Sequence, residues 1–143
     1  MKWLIEEHEE YSQWFESLEE NLQDEILAVV GLLAREGPNL GRPRADTLEG
    51  SKYPNMKELR VQFRGEPWRI LFAFDPERKA ILLLGGNKAG KPQWYEENIP
   101  IADKRYQEHL EKLKQKKESK NGNSRRKNGS AAKGKKRKNR KKN

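Results

Sequence analysis

The sequence predicts an α+β fold in which an N-terminal helical hairpin lies on a small antiparallel sheet. A C-terminal helix and a disordered basic tail complete the chain. Three observations carry this. Two consecutive apolar stripes with a 3.6-residue period occupy residues 11–33. Two segments of period two and a short apolar run, joined by short turns, occupy residues 59–86. The charge then changes character at residue 114. Residues 114–143 hold 15 Lys/Arg against the single acid Glu118, whereas residues 1–113 hold 16 bases and 21 acids.

Taken in order, Trp3-Leu4-Ile5 is a short apolar opening that suits an edge strand. Tyr11, Trp14, Phe15, Leu18 and Leu22 then recur at helical spacing. Leu22, Ile26, Val29, Val30 and Leu33 continue the pattern, with the bend expected at Glu19-Glu20-Asn21. Gly37-Pro38 ends the second helix, because Pro has no N–H to donate and Gly suits a C-cap. Residues 37–56 are rich in Gly, Pro and Asn and read as an ordered loop anchored by Leu40 and Leu48.

Leu59, Val61 and Phe63 then alternate with Arg60, Gln62 and Arg64. Gly65-Glu66-Pro67 is the expected turn, after which Trp68, Ile70, Phe72 and Phe74 alternate with Arg69, Leu71 and Ala73. Asp75-Pro76-Glu77-Arg78 turns the chain into a strand from Ala80 to Gly86. Such a meander needs helices on its apolar face. Ala102, Tyr106, Leu110 and Leu113 mark the last helix, giving the order β-α-α-β-β-β-α. The domain is expected over 1–113. Residues 114–143 are expected to be a disordered Lys/Arg-rich tail, with room for a helical extension near its start, since their apolar content cannot offset chain entropy.

Composition narrows the chemistry. With no Cys there is no disulfide scaffold, thiolate metal site or cysteine nucleophile. The longest apolar run, Ala80–Leu84, is too short to cross a bilayer, and the opening residues turn acidic by Glu6, unlike a signal peptide. A soluble, cytoplasmic protein without a membrane partner is expected. Hydrolase, P-loop, zincin and dinucleotide motifs are all missing, so neither a cofactor nor a metal is expected. His8 and His109 stand about a hundred residues apart and make a poor paired-histidine site.

The basic residues of the second half are more suggestive. Alternation puts Arg60, Arg64 and Arg69 on the sheet face opposite the apolar residues, where they would form an uncovered, concave cationic surface. Lys57 joins this set. Lys88 and Lys91 lie in the Gly-rich exit Gly85-Gly86-Asn87-Lys88-Ala89-Gly90-Lys91, which leads to Trp94-Tyr95. Guanidinium groups bind phosphate and stabilise a phosphorane, and aromatic rings stack on bases. The plain alternative is a solvated face bearing charges for solubility.

In combination, Asn55-Met56-Lys57-Glu58-Leu59-Arg60, Trp68-Arg69-Ile70-Leu71-Phe72-Ala73-Phe74-Asp75 and Gly85-Gly86-Asn87-Lys88-Ala89-Gly90 resemble the RelE/ParE toxin superfamily. The likeness is nearest to its HigB-like, phage-derived branch. Gly37-Pro38-Asn39-Leu40-Gly41-Arg42-Pro43 and the run from Trp94 through Ile99-Pro100-Ile101-Ala102-Asp103 to His109-Leu110 fit as well. The resemblance covers residues 1 to about 113. Gly86-Asn87-Lys88 departs from the Gly-Asp-Lys of many members, and the basic tail lies outside the pattern.

The resemblance implies a toxin of a type II toxin–antitoxin pair, partnered by a helix-turn-helix antitoxin. RelE-like and HigB-like members cut mRNA on the ribosome without a metal ion. ParE-like members instead inhibit DNA gyrase, and a catalytically inactive module that binds RNA or antitoxin is a third possibility. Carried over by position, Arg60, Arg69 and Lys88 would be catalytic, with the two arginines stabilising the phosphorane and Lys88 supplying charge or a proton. Lys57, Arg64, Lys91, Trp94 and Tyr95 would bind RNA, the aromatic pair by stacking. The proton acceptor is left unassigned, and Glu58 is set aside as pointing with the buried residues.

Overall fold

The computed structural model describes residues 2–129, the last ten of them as backbone. The elements are β1 (Leu4–Glu7), α1 (Glu9–Glu16), α2 (Glu20–Glu36), β2 (Ala45–Thr47), β3 (Met56–Phe63), β4 (Glu66–Phe74), β5 (Lys79–Asn87) and α3 (Trp94–Gly129). One five-stranded sheet runs in the order β1-β5-β4-β3-β2. It is antiparallel except at one edge, where β1 pairs parallel with β5. The expected α+β order holds, with a parallel edge strand and one additional strand, β2.

Residues 1–108 make one compact unit. On one face of its sheet, Tyr11, Leu22, Ile26, Val29 and Leu33 of the helical hairpin bury Leu59, Val61, Ile70, Phe72 and Leu82. α1 stops two residues earlier than the expected bend. Ser17 turns its hydroxyl back to the Trp14 carbonyl at 2.6 Å, so the helix ends there and Leu22 falls in α2. His8 caps α1, its Nδ1 accepting the Glu10 N–H, while its Nε2 meets the Glu108 carboxylate at 3.0 Å.

The opposite sheet face is covered too. Met56, Leu71, Ala73 and Ile81 have the other parity and are buried, as are Trp94, Ile99, Ala102 and Tyr106 from the start of α3. Gly85 and Gly86 explain how both layers close on β5. A Cβ at Gly85 would lie 2.2 Å from the Trp14 ring of α1, and one at Gly86 would lie 3.0 Å from the Trp94 indole of α3. Adjacent residues of a strand face opposite ways, so the pair admits one tryptophan on each side.

The β3–β4 connection is tighter than expected. Phe63 pairs with Glu66, leaving Arg64 (φ 52°) and Gly65 (φ 77°) as a two-residue turn whose positive dihedrals match the twist of a hairpin. The loop before β3 is tied down by Asp103, which accepts from Ser51 Oγ and the Lys52 N–H. Asn55 donates to the Phe74 carbonyl and to Tyr106 Oη.

From His109 the chain belongs to a second unit, whose described backbone is helical to Gly129. The described helix thus continues into the Lys-rich region, at whose start a helical extension is expected. Lys, Glu and Gln are good helix formers, and they dominate residues 111–120. The expectation of disorder for 130–143 lies outside the described residues. No described helix is long and apolar enough to cross a membrane.

Candidate active site

β3 and β4 pair so that Arg60 stands directly opposite Arg69. Like charges in that position repel, and a carboxylate resolves the conflict. Glu58 sits two residues before Arg60 on the same strand face, with its Oε1 3.6 Å from Arg69 Nε and its Oε2 3.9 Å from Arg60 Nε. Tyr95, at the start of α3, closes the group. Its hydroxyl donates to Glu58 Oε1 at 2.6 Å and accepts from Arg69 Nε at 3.3 Å. Burial pushes the Tyr95 pKa up, the Glu58 hydrogen bond adds to the rise, and Arg69 opposes it. The phenol is therefore a neutral donor at physiological pH.

The group is graded in depth. The side chains of Arg69 and Glu58 are only 5% and 8% exposed, whereas that of Arg60 is 33% exposed. Arg69 also donates to the Trp68 carbonyl at 3.0 Å, which fixes its guanidinium on the sheet. Beyond Tyr95 lies an open cleft of about 390 Å³ lined by Lys88, Gly90, Lys91, Pro92 and Tyr95. Lys88 Nζ stands 5.8 Å from the Tyr95 ring centroid. Asn87 spends its side chain on structure, donating to Glu66 and accepting the Ala89 N–H, so it holds the turn that presents Lys88.

The structure thus brings together Arg60, Arg69, Lys88, Lys91 and Tyr95, and separates three other candidates from them. Lys57 shares parity with Leu59 and Val61, on the face away from Glu58 and Arg60. Arg64 lies in the hairpin turn, pairs with Glu19 at 2.9 Å and stacks over Phe63. Its positive φ lifts it out of the strand alternation that had placed it with Arg60. Trp94 is 4% exposed and packed on Gly86, so its faces are not open to a base. The expected uncovered surface is corrected as well, because α3 roofs it and buries Arg69.

Glu58 is the residue that the sequence reading passed over. Parity alone places it with Arg60. Its burial comes from α3 rather than from the helical hairpin, so a buried position and membership of the site are the same fact. Among the described residues, no group of three or more His, Asp or Glu side chains is arranged to hold a metal ion.

Comparison with known proteins agrees with this architecture. Residues 13–107 match the phage-derived Gp49-like protein family, DUF891. Over 104 residues the chain is 48% identical to the putative toxin HigB2 of Mycobacterium tuberculosis, covering 71% of this chain and 52% of that protein. It therefore spans about half the length of that relative. Over 99 residues it is 50% identical to the putative toxin HigB3 of the same organism, covering 68% of this chain and 85% of that protein. The free-state structure of a double mutant of the E. coli toxin RelE superposes with a TM-score of 0.52 at 12% identity, over 73% of this chain and 98% of that one. At such identity the likeness concerns the fold. The chain belongs to the Gp49-like family of phage-derived proteins and is similar to the putative HigB toxins.

Proposed function

We propose that this protein is the toxin of a type II toxin–antitoxin pair and acts as a cytoplasmic endoribonuclease on ribosome-bound mRNA, without a metal ion. Its partner in the resting cell is a helix-turn-helix antitoxin. The observation that carries the reading is the Glu58–Tyr95–Arg69–Arg60 group at the edge of a cleft bearing Lys88 and Lys91. Cleavage of RNA by its own 2′-OH needs a proton acceptor, cationic stabilisation of the phosphorane and an acid for the departing 5′ oxygen. Each has a candidate here.

The phenolic oxygen of Tyr95 donates to Glu58 and accepts from Arg69, which leaves it one acceptor position. As the 2′-OH attacks phosphorus, its proton passes to Tyr95 while the phenolic proton passes to Glu58. Arg60, the more exposed guanidinium, holds the non-bridging oxygens. Arg69 acts from beneath by orienting Glu58 and Tyr95. Lys88 protonates the 5′ oxygen as the P–O bond breaks, leaving a 2′,3′-cyclic phosphate and a 5′-hydroxyl.

Gyrase inhibition, or a module that only binds RNA or antitoxin, would need no carboxylate in hydrogen-bonded contact with a tyrosine between two arginines. The test is inducible expression in bacteria with mapping of mRNA 5′ ends. Cuts within translated frames that disappear in Tyr95→Phe and Glu58→Gln are expected. Growth arrest with intact mRNA would instead mean gyrase, and no arrest would mean an inactive module.

A further inference from the structure

The two units of the chain differ sharply in charge. Residues 1–108 hold 15 Lys/Arg and 20 Asp/Glu, a net of −5, although they contain the whole candidate site. Residues 109–143 hold 16 Lys/Arg against Glu111 and Glu118, a net of +14. The match to the Gp49-like family ends at residue 107, so this charge lies outside the shared domain. Its described part is helical, and every side chain from Lys114 to Ser119 is exposed.

Composition limits what such a segment can recognise. No Phe, Tyr or Trp follows Tyr106 and the ring of His109 is buried, so the segment offers no exposed aromatic ring to stack on bases. Its only apolar residues are Leu110, Leu113, Ala131 and Ala132, too few for the apolar face of a membrane-surface helix. What remains is a dense row of Lys and Arg set among Asn, Gly and Ser, which suits phosphate groups in series and carries no means of reading sequence. The net-acidic unit is repelled by a polyanion at long range, and the cations of its cleft act only within about a Debye length, roughly 8 Å at physiological salt.

We propose that residues 109–143 are a polyanion-binding arm that holds the phosphate backbone of structured RNA whatever its sequence. The arm supplies the attraction that the acidic unit lacks. The choice of RNA rests on the ribonuclease reading above, whereas the phosphate chemistry does not.

The test compares the full chain with a full-length variant in which the eight Lys and Arg residues between 133 and 142 are changed to Gln. Binding to a fully paired RNA hairpin is titrated between roughly 50 and 200 mM KCl. Each released counterion contributes about 0.7–0.9 to the slope of log K against log salt, so the variant's slope should be shallower by about 5–7 if all eight charges engage. Slopes that differ by less than about one would overturn the arm. A DNA duplex of equal length and anionic vesicles are run alongside. Clearly tighter binding to either than to the hairpin would overturn RNA as its ligand. If the arm binds RNA as described while mRNA stays intact in cells, the arm stands and only the ribonuclease reading fails.

Discussion

Arg60 and Arg69 face each other across one pair of strands, yet removing them should have very different consequences. The guanidinium of Arg69 is buried, hydrogen-bonded to Tyr95 and the Trp68 carbonyl, and 3.6 Å from a carboxylate that is itself buried. Arg69→Met keeps the aliphatic packing but leaves Glu58 a buried charge with a distant partner. Breaking a buried pair in this way costs about 3–5 kcal/mol. For a domain near 100 residues that is a fall in Tm of roughly 12–20 °C, at about 4 °C per kcal/mol. Arg60 is one-third exposed and only grazes Glu58 at 3.9 Å, so Arg60→Met should cost about 0–1 kcal/mol. The decisive variant is the double Glu58→Gln/Arg69→Met. With both charges gone the desolvation penalty disappears, and the double variant should be less destabilised than the two singles added together, by about 1–3 kcal/mol. Urea unfolding of the wild type and the four variants, Glu58→Gln included, measures each of these. Equal losses for the two arginine variants, or strict additivity in the double, would refute the assignment of Arg69 and Glu58 as a buried supporting pair.

The same geometry makes further predictions. Tyr95→Phe deletes one hydroxyl and should lower mRNA cleavage by about 10²-fold or more, while retaining the fold by circular dichroism. Gly85→Ala drives a methyl into the Trp14 ring and should cost about 1–3 kcal/mol in urea unfolding. Gly31→Ala, in mid-helix with nothing within 4 Å of the new Cβ, should stabilise by about 0.5–1 kcal/mol in the same assay. Burial raises the pKa of Tyr11, Tyr95 and Tyr106, so the folded state keeps phenolic protons that the unfolded state releases above its ordinary value near 10. Their contribution to stability is complete below that pH and is lost as pH climbs toward the folded values. Unfolding midpoints should therefore fall steadily above pH 10, and Tyr11 phenolate absorbance should appear only with unfolding.

Much of the fold is legible along the chain because each layer keeps its own period. Leu59, Val61 and Phe63 reveal a half-buried strand, and Ile26, Val29 and Leu33 a helix face. β2 leaves no such trace, since the three residues Ala45-Asp46-Thr47 are too few to alternate visibly. The parallel pairing of β1 with β5 joins residues far apart in sequence, and no local pattern reports it. The candidate site was legible in its cations and obscure in its carboxylate. Alternation divides a strand into two faces, and reading one face as core makes the other look like solvent. Here α3 lays Trp94, Ile99, Ala102 and Tyr106 over that second face, so Trp94 is lost as a stacking platform and Glu58 is gained. The stripe at Ala102 and Tyr106 announces a helix, but not the face it will cover.

The electrostatics of the site follow from that roof. With Tyr95 held neutral, Arg60, Arg69 and Glu58 sum to +1, and Lys88 and Lys91 on the adjoining cleft raise the local charge to +3. A phosphodiester brings one negative charge, and its phosphorane brings more. Under the proposed ribonuclease mechanism the group would attract the ground state modestly and the transition state more strongly, which is the condition for charge to speed a reaction rather than merely tighten binding. Burial assigns the roles. Arg69 is spent on Glu58, Tyr95 and a backbone carbonyl, while Arg60 retains N–H donors toward solvent. In the proposed mechanism, two arginines at equivalent strand positions thus divide into one that would hold the proton acceptor and one that would meet the phosphate. The division comes from the helix laid across one of them and is absent from the strands themselves.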